Sequence, residues 1–259
     1  MAKNTTGEMP FLDHLEELRW RIIWALGALV IGLIAGFLIV TKFELLHLLQ
    51  QPIAPYLAGH KLVYTHPGDT FSITLSASLV VGAIIASPVL IYQVWAFLSP
   101  ALYKHERRLV IPVIAGAVLL FVMGVGLAYF FVLPMTLRFL MNFQIESLEP
   151  MITATDYFGF VTVLALTFGA VFELPLLILA LAALGLVTPK FLAQFRKYAL
   201  VLSYLVSAII TPGDLFITTL ALTGPLYLLY ELSVLLATIV FRKRQARTIA
   251  EPSAAGDLA

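Results

Sequence analysis

Apolar residues dominate six stretches of the chain, at 20–41, 71–98, 109–133, 157–187, 198–211 and 215–241, and charged residues gather in the gaps between them. Crossing the hydrocarbon layer as a helix takes about 20 apolar residues, and all but the fifth stretch reach that length. The fourth is long enough to tilt or kink. Pro175 in its middle supplies the kink, because proline lacks the ladder N–H and crowds the carbonyl four residues back. The fifth is short: YALVLSYLVSAII extends about 21 Å at 1.5 Å per residue, against about 30 Å of hydrocarbon. TPGD follows at 211–214. A Pro-Gly turn with an acid predicts a short span, a tight turn and a returning helix.

Charge placement tests this division. With six spans, both termini and the loops near 99–108 and 188–197 share one side. That side carries Lys3, Arg19, Arg21, Lys104, Arg107, Arg108, Lys190, Arg196, Lys197, Arg242, Lys243, Arg244 and Arg247, and the other carries Lys42, Lys61 and Arg138. Basic loops stay in the cytoplasm, so the expected topology has both termini inside. Merging the last two spans would put the RKRQAR tail outside, against the same rule. The outer segment 42–70 holds one amphipathic helical piece and a Pro/Gly/His stretch. The second outer segment, 134–156, opens with PMTLRFLMNF, which reads as a short helix lying on the membrane. Residues 1–245 thus form one membrane domain, and the tail 246–259 lacks an apolar period and is expected to be disordered.

Composition confirms the medium. The chain has 259 residues, 61% hydrophobic and 12% charged, with a mean hydropathy of +0.97. Soluble domains carry about 25% charged residues, so the excess apolar surface faces lipid and the fold class is an all-α integral membrane protein. The absence of cysteine excludes disulfides and thiol chemistry. MAKNTTGEMPFLDHLEEL holds four acids before any apolar core, unlike a cleaved signal or transit peptide. There is no P-loop, no H-E-x-x-H and no G-x-S-x-G, and the histidines show no ligand-like grouping. No enzyme, metal or cofactor is expected.

Four polar features stand out against this background. In FLDHLEELRWR (11–21), Phe11, Leu15, Leu18 and Ile22 line one helical face, and Asp13, Glu17 and Arg21 another. Asp13 is placed to cap the helix, with Glu16 completing a capping box. The plainer reading is an interfacial helix with solvated charges; against it, Glu16 and Glu17 sit where a lipid-facing helix prefers bases. YQVWAFLSPALYKHERR (92–108) carries an aromatic belt, a helix break at Ser99-Pro100 and a second acid on the basic side, Glu106, which a surface pair with Arg107 or Lys104 also explains. Glu173, in FGAVFELPLLI, stands near the midplane of the fourth span, where a charge costs a few kcal/mol or more. It is either a protonated group bonded to a neighbouring helix or an acid in a wetted groove meeting another molecule. Glu231 lies near the cytoplasmic end of the last span, and Asp214 is placed to cap the returning helix. Gly32 and Gly36 form a GxxxG pattern, which permits close helix contact but is frequent by chance.

These motifs resemble the TatC family, the receptor subunit of the twin-arginine protein translocase. HLEELRWR resembles its H-L-x-E-L-R motif, LIYQVWAFLSPALYKHERR its second span and first cytoplasmic loop, FGAVFELP its fourth span, and TPGD its T-P-x-D turn, with Gly213 where proline is common. In the outer loop only Pro52 matches. The resemblance implies a bacterial inner-membrane protein that binds paired-arginine signal peptides. It implies single-span partners of the TatA/TatB type, self-association in a larger complex, and export of folded proteins driven by the proton-motive force. It assigns Glu17, Arg19, Phe97 and Glu106 to signal-peptide binding, and Glu173, with Asp214 and Glu231, to polar contact with a partner helix in a concave groove. The competing class is a proton-coupled small-solute transporter with Glu173 as its carrier, which predicts paired broken helices in two repeated halves; the sequence shows no such repeat.

Overall fold

The computed structural model describes residues 11–57, 59–98, 110–142, 151–183, 185–210 and 217–250. Ten α-helices carry the described chain: α1 (Phe11–Lys42), α2 (Leu45–Gln50), α3 (Asp69–Leu98), α4 (Val110–Leu127), α5 (Leu133–Asn142), α6 (Ala154–Phe172), α7 (Leu174–Ala183), α8 (Pro189–Gln194), α9 (Arg196–Ile210) and α10 (Ile217–Ala250). Five helical stretches are long and apolar enough to cross a membrane: Leu15–Lys42, Asp69–Phe97, Ile111–Asn142, Ala154–Ala182 and Thr219–Ile239. The fifth expected span corresponds to α9, whose 15 residues reach only about 22 Å.

Several local expectations change. The polar segment 11–21 is the first part of α1 rather than a separate interfacial helix, and Asp13 lies inside the helix, not at its cap. PMTLRFLMN continues as a short helix, α5, which a π-turn at Ala128–Val132 joins directly to α4. Residues 246–250 are helical, where a disordered tail was expected. The Ala and Arg of that stretch are good helix formers and extend a helix already nucleated upstream. The kink expected at Pro175 is a break at Glu173. Its N–H donates to Ala170 O at 3.1 Å, and α7 restarts with Leu176 and Leu177 donating to Glu173 O at 3.1 and 3.0 Å.

The largest helix–helix contact joins α1 to α3. It depends on Gly32, Gly36 and Gly82. A Cβ on Gly82 would meet the carbonyl of Gly32 and the amide of Leu33, each at 2.8 Å, and one on Gly36 would meet Gly82 N at 2.8 Å. The GxxxG pattern is therefore used, with backbones in contact as such sequences allow. A second apolar core gathers α4, α5, α6 and α10 around Phe168, Val132 and Leu133.

A cap closes one end of the bundle. The chain turns after α1 through Glu44 in the left-handed region (φ 48°), and Ile53, fully buried, plugs the core below. Tyr129 and Tyr157 donate their hydroxyls to Leu48 O and Leu49 O, both at 2.6 Å, at the end of α2, where carbonyls run short of helical donors. A parallel bridge between Val63 and Thr153 joins the two cap segments.

Candidate functional site

A cavity of about 240 Å³ lies between α3, α4, α6 and α7, with Ser87, Trp95, Phe121 and Leu177 among its walls. Glu173 stands in this wall. The break before Pro175 places it between two helices rather than along one. Its Oε1 is buried and has no hydrogen-bond partner among the described residues. Ser87 shares the cavity but donates to Ile84 O at 2.8 Å. The reason is local: Pro88, inside α3, has no N–H to give to that carbonyl, and the neighbouring hydroxyl takes its place. Besides the Ser87 hydroxyl and the Trp95 indole the lining is apolar, and an unpaired buried carboxyl oxygen there is a deficit of about 1–3 kcal/mol.

The second polar centre lies where α1 meets the end of α3. Glu17 and Arg21 form an ion pair, with Nε of Arg21 2.9 Å from Oε1, the i,i+4 spacing that brings side chains together on a helix. Arg21 Nη1 also reaches Gln93 Oε1 at 3.5 Å, at the edge of hydrogen bonding. Sequence spacing showed the Glu17–Arg21 face, but nothing in it pointed to Gln93, which lies 72 residues away. Arg19 is exposed beside the pair, and Phe97 is half-buried in the last turn of α3. Glu106 and Asp214 lie outside the described residues, as do the Ser99-Pro100 break and the TPGD turn.

The two centres share α3. Gln93, which touches Arg21, is followed on α3 by Val94 and Trp95, both in the wall of the Glu173 cavity. Glu231 is not part of this arrangement. Arg196 Nη2 donates to its Oε2 and the Tyr227 hydroxyl to its Oε1, each at 2.9 Å. Within the chain Glu231 ties α10 to the start of α9.

Comparison with known proteins agrees with this geometry. A family model for the Sec-independent protein translocase protein (TatC) matches residues 13–225. The TatC protein of Aquifex aeolicus (strain VF5) is 39% identical over 239 residues, covering 92% of this chain and 98% of that one. The TatC protein of Escherichia coli (strain K12) is 36% identical over 241 residues, covering 92% of each. A crystal structure of the twin arginine translocase receptor TatC superposes with a TM-score of 0.73 at 39% identity, covering 88% of this chain and 99% of that chain. The motifs, the helical membrane architecture and these matches together place the chain in the TatC family of Sec-independent protein translocase proteins.

Proposed function

We propose that this translocase subunit receives paired-arginine signal peptides at its Glu17 end and recruits TatA/TatB-type single-span partners along the Glu173 groove. In this reading six spans cross the inner membrane with both termini in the cytoplasm, and α9 is the short fifth span. Folded cargo leaves under the proton-motive force. The observation that carries the reading is the adjacency on α3 of Gln93, at the Glu17–Arg21 pair, and Val94–Trp95, in the cavity wall. A peptide with a charged head and an apolar continuation matches a surface with a carboxylate at one end and an apolar groove leading away. Guanidinium recognition suits Glu17, since a carboxylate accepts a planar guanidinium fork through two parallel hydrogen bonds, and Arg21 already directs Nε and Nη2 at Oε1 alone from within the chain. Arg19, Phe97 and Glu106 complete the proposed receptor surface. Asp214 serves the α9–α10 turn.

Glu17→Lys tests this. Like-charge repulsion should abolish crosslinking of a twin-arginine precursor while the protein stays at its normal level in the membrane, and Glu106→Lys should do the same. Undiminished crosslinking in Glu17→Lys would remove Glu17 from the receptor site. The transporter reading finds less support, because Glu173 is the one acid in the cavity wall and no relay continues from it there.

A further inference from the structure

The corner formed by α8 and the start of α9 has two unlike faces. Its inner face is pinned: Leu192 is buried against Ala182, Val234 and Ala237, and the Tyr230 hydroxyl donates to Leu192 O at 2.5 Å. Its outer face is an open aromatic ladder. Phe191 stacks on Phe195 with centroids 4.4 Å apart, and Phe195 meets Tyr198 at 5.4 Å, yet these rings remain 49%, 42% and 58% exposed. Lys190 and Lys197 flank the ladder, both exposed, and Lys197 Nζ lies 5.1 Å from the Tyr198 ring. Arg196 is engaged by Glu231, so the charge left on this face is that of the two lysines. The segment TPKFLAQFRKYA (188–199) contains no acid.

The span that follows fixes the depth of this corner. This rests on the six-span reading proposed above: as a span, α9 with 15 residues is about 8 Å shorter than the hydrocarbon layer, and such a mismatch thins the bilayer around its ends. The ladder is thus held at headgroup depth, where amphipathic aromatic rings are at home. Two lysines at that depth attract an anion, and the anion plentiful there is a lipid phosphate.

We propose that the α8–α9 corner is a binding site for one anionic phospholipid, its phosphate between Lys190 and Lys197 and its glycerol and upper acyl chain against Phe191, Phe195 and Tyr198. The lipid supplies the polar contacts and the missing thickness at the end of the short span.

Native mass spectrometry of the full chain in neutral detergent, titrated with phosphatidylglycerol or phosphatidylcholine, measures this directly. The unaltered chain should retain phosphatidylglycerol preferentially. Lys190→Gln with Lys197→Gln should lower that retention by about fivefold per lysine and leave phosphatidylcholine retention unchanged, whereas the double Arg variant should keep the preference. An unfolding temperature equal to that of the parent shows that the loss is not misfolding. A photoreactive phenylalanine at position 191, in native membranes, should form adducts of phospholipid mass. Equal retention of the two lipids by the parent would overturn the proposal, as would an undiminished preference in the Gln variant. A polypeptide adduct at position 191 would assign the face to a protein partner instead.

Discussion

At the scale of single residues, the decisive groups are polar atoms in apolar surroundings. Glu173 Oε1 has no hydrogen-bond partner among the described residues, and in the proposed function it receives a donor from a partner helix. Glu173→Gln preserves shape and hydrogen bonding without ionisation and should retain most export, while Glu173→Ala should lose it severalfold, in line with one hydrogen bond to a buried group. Export at matched protein level decides this, and a Gln variant as inactive as Ala would point to proton transfer. The cap tyrosines make a finer comparison. Leu48 O also accepts from Gln51 N at 3.1 Å, so Tyr129→Phe leaves that carbonyl with a donor. Leu49 O, just past the last helical N–H that could serve it, depends on Tyr157. Tyr157→Phe should therefore lower the thermal unfolding midpoint in detergent more than Tyr129→Phe, by the difference between losing a shared bond and orphaning a half-buried carbonyl, up to about 1–3 kcal/mol. The reverse order would contradict the clamp.

Between elements, glycine decides how closely helices approach. Gly82 sits under Gly32 with backbone atoms as its neighbours, and backbone cannot step aside as a side chain can. Gly82→Ala must push α1 off α3, forfeiting dispersion contacts along their whole crossing. Gly27, on the same α1, has nothing within 4 Å of an added Cβ, and Gly27→Ala should stabilise the helix by up to about 1 kcal/mol through propensity alone. Opposite shifts of the two variants in thermal unfolding are the expected result. Equal shifts would mean that the α1–α3 contact is not set by glycine. The same contact places Arg21 beside Gln93 and so holds the polar end of α1 against the groove-bearing helix.

In the six-span reading proposed above, unequal span lengths are the main mechanical feature of the whole molecule. Four of the membrane-length stretches have 28 to 32 residues, while α9 has 15. The surrounding bilayer must thin near α9 or the helix must sit to one side, at a cost of fractions of a kcal/mol per Å. Spin labels placed along 198–210 and read by depth-dependent quenching should report a shortened hydrocarbon profile relative to labels along 219–239. A profile of ordinary thickness would show that the bundle absorbs the mismatch without the lipid. Local thinning would shorten the distance that a partner helix at the same flank has to cross.

Much of this protein follows from composition and period, because the membrane imposes a condition every residue meets separately: backbone groups must pair internally, and lipid-facing side chains must be apolar. The long helices, the weakness of the fifth span and the interruption of the fourth near Pro175 are therefore legible residue by residue. So are Glu17 and Glu173, since a lone acid in an apolar or basic setting is conspicuous wherever the chain folds. The tertiary structure decided which polar groups meet. Glu231 was legible as an acid near the end of the last span, but its bond to Arg196, 35 residues earlier and 2.9 Å away, was not. Gln93, Tyr129 and Tyr157 carried no signal at all, because their partners lie 72, 81 and 108 residues distant. The GxxxG of α1 became meaningful only when Gly82 was brought against it. Period and hydropathy are sums over neighbours in the chain, whereas a hydrogen bond or a close backbone approach depends on neighbours in space.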